Sequence, residues 1–182
     1  MKDLSLHVLD LLANSTVVCS TKIKLKVIDS LKNNLYSFEI IDNGSGMSEE
    51  TLQKVTDPYF TSRKTRKVGL GLPLVKMNAE NAGGGFSMKS SIGKGTDLRF
   101  WFEHNNIDRP PLGDIASAVV FTAATNENIH FIYEHTTDFG RYTFDTNEIK
   151  EALDGMSLNN ADIIRALTEM IQENLKDIKA NE

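Results

Sequence analysis

The chain has 182 residues, 40% of them hydrophobic, which suits one domain of ordinary size, alone or with a small appendage, folding without disulfides or structural metal. Its single cysteine, Cys19, excludes a disulfide framework and a cysteine zinc site and reads as a small apolar filler. The net charge of -5 is uneven: residues 1–104 hold 14 Lys and Arg against 11 Asp and Glu, whereas residues 105–182 hold 6 against 14, so the first segment is the more welcoming to an anion.

The first predicted element is a helix over 4–18, with Leu4, Val8, Leu11, Leu12 and Ser15 on one face and Leu6, Leu9 and Ala13 widening the apolar surface. What remains is a narrow polar strip of His7, Asp10 and Asn14. A helix this apolar is expected to be largely buried, so the strip should line something polar. Strands follow over 22–29 and 36–42. In the first, Ile23, Leu25 and Val27 alternate with Lys22, Lys24 and Lys26, the period of a half-buried strand. Ser48 is an N-cap for a short helix ending near Val55, with Glu49 and Glu50 in its first turn. Residues 57–68 are polar and basic, hence a loop. A helix over 72–81 stops at Gly83-Gly84-Gly85, and strands over 86–90 and 96–102 form a hairpin turned at Gly93-Lys94-Gly95.

Pro110-Pro111 marks a break that divides the chain into residues 1–106 and 107–182. The second segment reads as a helix over 115–124, a hairpin of 129–135 and 141–145, a helix over 147–153 and a final helix over 161–179. The final stripe of Ile163, Ile164, Leu167, Met170, Ile171, Leu175 and Ile178 keeps spacings of three and four, a packing face.

Four short motifs fall at element boundaries, where backbone groups are free to meet a ligand. Asp42-Asn43-Gly44-Ser45-Gly46 ends a strand. A buried carboxylate there accepts a hydrogen bond from an exocyclic amine, which adenine carries at its six-position and guanine does not. Gly44 and Gly46 let the backbone approach a flat base. Gly69-Leu70-Gly71 stands at a helix entrance, where free N–H groups and the helix dipole favour phosphate. Arg63, Lys64, Arg66 and Lys67 precede it as compensating cations. Asn14 offers a neutral oxygen suited to Mg²⁺, and Gly93-Lys94-Gly95-Thr96 leads into a strand.

In this order the motifs resemble the boxes of the GHKL ATP-binding domains, shared by histidine kinases, type II topoisomerases, Hsp90 and mismatch-repair ATPases. The run Val68-Gly69-Leu70-Gly71-Leu72-Pro73-Leu74 is most similar to the histidine-kinase branch, and the resemblance covers residues 4–104. It implies the Bergerat fold, an α/β (α+β two-layer) sandwich whose mixed sheet is covered by helices, followed by a small α/β C-terminal extension. It also implies that Asn14 binds Mg²⁺, that Asp42 binds the adenine amine, that Gly44 and Gly46 shape the base pocket, and that Thr96 assists through water. Gly69 and Gly71 would flank the phosphates under a lid of residues 57–68. Met47, Tyr59, Phe60, Arg63, Lys64, Leu70 and Leu72 complete the expected nucleotide-contacting set. Asp10 stands where hydrolysing members carry a glutamate general base. It is either that base, at shorter reach, or a hydrogen-bonding partner of metal-bound water or of His7.

Histidine kinases place their phosphoacceptor histidine on a dimerising hairpin ahead of this domain. The chain starts three residues before its first helix, so the acceptor is expected on another protein. His7 is expected to be a satisfied, partly buried histidine. The expected function is transfer of the ATP γ-phosphoryl group to a partner protein by a cytoplasmic, Mg-ATP-binding kinase of histidine-kinase type. The alternative is a nucleotide-switched binding module. Residues 107–182 are expected to dock a partner or a second copy. Neither nucleic acid nor membrane insertion is expected.

Overall fold

The structure is a computed structural model that describes residues 3–57 and 71–180. Its elements follow the sequence pattern closely. They are α1 (Leu4–Val17), β1 (Lys22–Ser30), β2 (Leu35–Asp42), α2 (Glu49–Lys54), α3 (Gly71–Asn81), β3 (Gly85–Ser91), β4 (Gly95–Glu103), α4 (Ile115–Thr125), β5 (His130–Thr137), β6 (Arg141–Asp145), α5 (Thr146–Ala152) and α6 (Ala161–Asp177).

The six strands form one mixed sheet in the order β3-β4-β2-β1-β5-β6. Neighbours are antiparallel except β1 and β5, which run parallel in the register Ile23 to Phe131 and Leu25 to Tyr133. One sheet face carries Ile23, Leu25, Val27, Tyr36, Phe38, Ile40, Leu98, Phe100, Phe102, Phe131, Tyr133 and Phe144, all buried. Phe38 and Phe100 stack across β2 and β4 with ring centroids 4.9 Å apart, a cross-strand pair that helps hold the register. The helices cover this face side by side, with α1 touching α3 on one side and α4 on the other, and α6 lying beyond α4. The other face is charged. Lys26 pairs with Glu39 at 2.6 Å, and Glu134 takes both Lys24 and Arg141 at 2.7 Å. The period-two alternation of β1 therefore separates helices from solvent, giving an α+β two-layer sandwich.

Residues beyond Pro111 share this sheet and core. Leu4 N–H donates to Pro111 O at 2.9 Å and Ser5 N–H to Leu112 O at 2.8 Å, so residues 111–112 satisfy donors that a helix start leaves open. Asp3 completes the cap, its Oδ1 accepting from Leu6 N–H at 3.0 Å. The stripe of α6 buries Leu167, Ile171 and Leu175 against the chain's own core, with Asn160 as N-cap.

Two expectations change. The helix α1 is buried on one side only among the described residues: Leu6, Ala13 and Val17 are exposed, away from the sheet and the flanking helices α3 and α4. Cys19 is also exposed, in a left-handed turn with φ of 58°, so it fills no core space.

Candidate functional site

The end of β2 meets the end of α1 at Asp42, only 7% exposed. Its Oδ2 accepts from Ser15 Oγ at 2.9 Å, and its Oδ1 accepts from Gly44 N–H at 2.9 Å, with Ser20 Oγ more distant at 3.5 Å. These donors are neutral, and among the described residues no Lys or Arg is paired with Asp42. A carboxylate held this way keeps lone pairs for one more donor. Thr96 stands opposite Asp42 across β2 and β4. Its Oγ1 lies 3.0 Å from Ser90 Oγ, which accepts from Met47 N–H at 2.9 Å. Asp42, Gly44, Gly46, Met47 and Thr96 are thus brought together.

The glycines answer to the fold at least as much as to a ligand. Gly46 has φ of +63°, and a Cβ there would stand 1.9 Å from Ser91 O. Gly95 has φ of +84°, and its Cβ would stand 1.9 Å from Asp42 O. The loop after β2 and the β3–β4 turn press backbone on backbone, where only glycine fits. Asn43 braces the same corner, its Oδ1 accepting from Thr21 and Lys22 N–H, each at 2.9 Å.

The polar strip of α1 faces α3, as a strip lining something polar should. A Cβ on Gly71 would stand 2.1 Å from Asp10 Oδ2, so that carboxylate lies against the first described turn of α3. A helix start attracts negative charge there. Asn14, half-buried, follows one turn later on the same strip. Leu72 packs half-buried against the core. His7 differs from expectation in one respect. Its Nε2 lies 3.1 Å from Asn78 Nδ2 on α3, but among the described residues its buried Nδ1 has no partner. Burial lowers its pKa, which keeps the ring neutral. Tyr59, Phe60, Arg63, Lys64, Gly69 and Leu70 lie outside the described residues.

Sequence reasoning missed Ser15, Ser20, Asn43 and Ser90. Ser15 was read as a core-face position. The signal available was a hydroxyl on an otherwise apolar face, which needs a buried acceptor.

Residues 2–106 match the family model described as "Histidine kinase-, DNA gyrase B-, and HSP90-like ATPase". The chain belongs to this family. Its ATP-binding domain is of the histidine-kinase type. A sensor protein of Shewanella frigidimarina (strain NCIMB 400) is 36% identical over 96 residues, which is 52% of this chain and 15% of that protein. Sensor kinase CckA of Brucella abortus (strain 2308) is 33% identical over 79 residues, 43% of this chain and 8% of the kinase. The chain therefore corresponds to a small part of the length of these relatives. Among solved structures, the N-terminal domain of a DNA repair protein has a TM-score of 0.55 at 16% identity, covering 80% of this chain and 52% of the other. The Aquifex aeolicus MutL ATPase domain, solved with ADP, has a TM-score of 0.52 at 15% identity, covering 85% and 68%. At such identities these two speak for the fold of this ATPase family member.

Proposed function

We propose that this chain binds ATP with Mg²⁺ in the cleft between the end of β2, the polar strip of α1 and the start of α3, and passes the γ-phosphoryl group to a separate partner protein. The observation that carries the reading is Asp42: a buried carboxylate that neutral donors hold in place, at the end of β2 and opposite Thr96. Such a carboxylate suits the adenine amine and rejects guanine, which would present a carbonyl to it.

Mg²⁺ fits the donor set. Among the described residues no three His, Cys, Asp or Glu side chains gather into a metal-binding group, and Mg²⁺ commonly takes one or two protein oxygens together with phosphates and water. Asn14 supplies a side-chain oxygen on the strip that faces α3. When bound, the ion neutralises charge that develops on the transferred phosphoryl group. Asp10 orients a water or the acceptor, and the start of α3 holds phosphate through backbone N–H groups. Transfer breaks the bond from the γ phosphorus to its bridging oxygen, leaving ADP, and forms a bond to the acceptor's nucleophile.

Thermal unfolding with nucleotides tests the binding step. A ligand at 100 times its dissociation constant adds about 2.7 kcal/mol to the folded state. ATP or ADP with Mg²⁺ raises Tm, GTP raises it far less, and Asp42→Asn erases the difference. For the transfer step, γ-labelled ATP is incubated with this chain and a cell extract. If no protein acquires label, phosphotransfer is wrong.

A second reading, a nucleotide-switched binding module, has its own support. Residues 111–112 cap α1, and α4 packs on it, so the segment 107–182 is joined to the helix that carries Asp10 and Asn14. We infer that this segment docks the partner. The switch reading gains if Asp42→Asn abolishes partner binding while the wild type never transfers phosphate.

A further inference from the structure

Ser15 lies next in sequence to Asn14, yet on a different side of the helix. Asn14 is half-buried and belongs to the polar strip of His7 and Asp10, whereas Ser15 is only 6% exposed on the face packed over the sheet. Its Oγ donates to Asp42 Oδ2 across 27 positions of sequence, joining α1 to β2. Alanine would fill the same space and lack the donor. The hydroxyl is thus not needed for packing, and a lone hydroxyl on an apolar face stays only where it has an acceptor.

The contact has two consequences. The first concerns direction. A carboxylate on a rotatable side chain accepts from any quarter, but one oxygen of Asp42 is engaged by Ser15 and the other by Gly44 N–H. The plane of the group is then set before a base arrives, so its remaining lone pairs point at one fixed place. The second concerns α1. A bond from Ser15 to the base-reading carboxylate fixes the end of the helix where Asn14 sits, one residue away.

We propose that Ser15 is a positioning residue for base recognition, which aims the Asp42 carboxylate at the adenine amine and ties the base end of the cleft to the helix that carries Asn14. The inference rests on the reading of Asp42 given above. Ser20 Oγ, at 3.5 Å from Oδ1, plays the smaller part.

The test compares ATP with N6,N6-dimethyl-ATP, whose amine has no hydrogen to donate. Dissociation constants for both are measured by titration calorimetry on the full chain, as wild type, Ser15→Ala, Ser15→Thr, Asp42→Asn and the double variant Ser15→Ala/Asp42→Asn. Losing a donor to a charged group costs about tenfold in affinity. Ser15→Ala is therefore expected to bind ATP about tenfold more weakly, to bind the dimethyl analogue nearly as before, and to keep the Tm of the nucleotide-free protein. Ser15→Thr retains the hydroxyl and is expected to retain the preference. In the Asp42→Asn background, Ser15→Ala is expected to change nothing further. A purely structural serine would weaken both nucleotides alike, and that result overturns the proposal. So does full wild-type preference in Ser15→Ala while Asp42→Asn loses it, an outcome that leaves the reading of Asp42 standing. If Asp42→Asn also keeps the preference, the reading of Asp42 falls and the proposal with it. Should Ser15→Ala not fold, Ser15→Cys, of nearly equal volume and a much weaker donor, is measured against the same expectations.

Discussion

The core face of the sheet buries a carboxylate at each end, and their partners separate a site from a strut. At one end Asp42 is held by two hydroxyls and a backbone N–H. At the other, Asp29 is 5% exposed and bonds His104 Nε2 at 2.7 Å. Above that pair Arg109 donates to His104 O at 2.8 Å and lies 4.8 Å over the ring of Tyr36, which closes this end of the core. Asp29 is matched to a side chain able to carry the opposite charge. Among the described residues Asp42 is matched only to neutral donors, beside a loop of glycines. Burial and residue type are the same, so neither distinguishes the two. What distinguishes them is whether the protein has already supplied the partner a carboxylate most wants.

The largest effect that bears on this contrast is expected at the closed end. Asp29→Ala leaves His104 and its neighbours without their acceptor, and should lower unfolding stability by about 3 kcal/mol in urea titration. A loss below about 1 kcal/mol would show that Asp29 is no strut. Asp42→Asn should do the reverse. It is expected to change the nucleotide-free protein by less than about 1 kcal/mol, while removing the ~2.7 kcal/mol that saturating ATP adds.

A pH effect belongs to the same buried row. His135 is fully buried, with Nδ1 2.6 Å from Tyr133 Oη and, among the described residues, no partner for Nε2. Burial lowers its pKa from 6.5 to about 4. The unfolded chain then takes up a proton that the folded one refuses. Stability from this group is complete above pH 6.5 and falls as the pH drops toward 4, by up to about 1.4 kcal/mol per unit. The double variant Tyr133→Phe/His135→Leu, which removes both hydrogen-bonding partners, should flatten that limb of a stability-against-pH curve. An unchanged limb would place the acid sensitivity elsewhere. The smallest effect is expected on the open face. Lys26→Met, which breaks the ion pair with Glu39, should shift stability by less than about 1 kcal/mol, and by less still in high salt.

The alternation in β1 and the stripe of α6 were legible because helix and strand periods follow from local geometry. The boundary glycines were legible as well, though not their whole reason: Gly46 was assigned to a base's approach and Gly95 to a hairpin turn, and the structure adds at both a clash of backbone against backbone. The hydrogen bond of Ser15 was not legible because its acceptor lies 27 residues away, and Cys19 was misjudged because exposure in a turn leaves no periodic mark.

By itself, then, the sequence determined the twelve elements and the family, since hydrophobic period, caps and box order are all short-range properties. Only the tertiary structure decided that β5 lies parallel to β1, that residues 111–112 cap α1, and that Asp29 and Asp42 have partners of opposite kinds. Those depend on contacts between residues far apart along the chain. Such contacts arise from closing loops and filling one shared core, which no local pattern records.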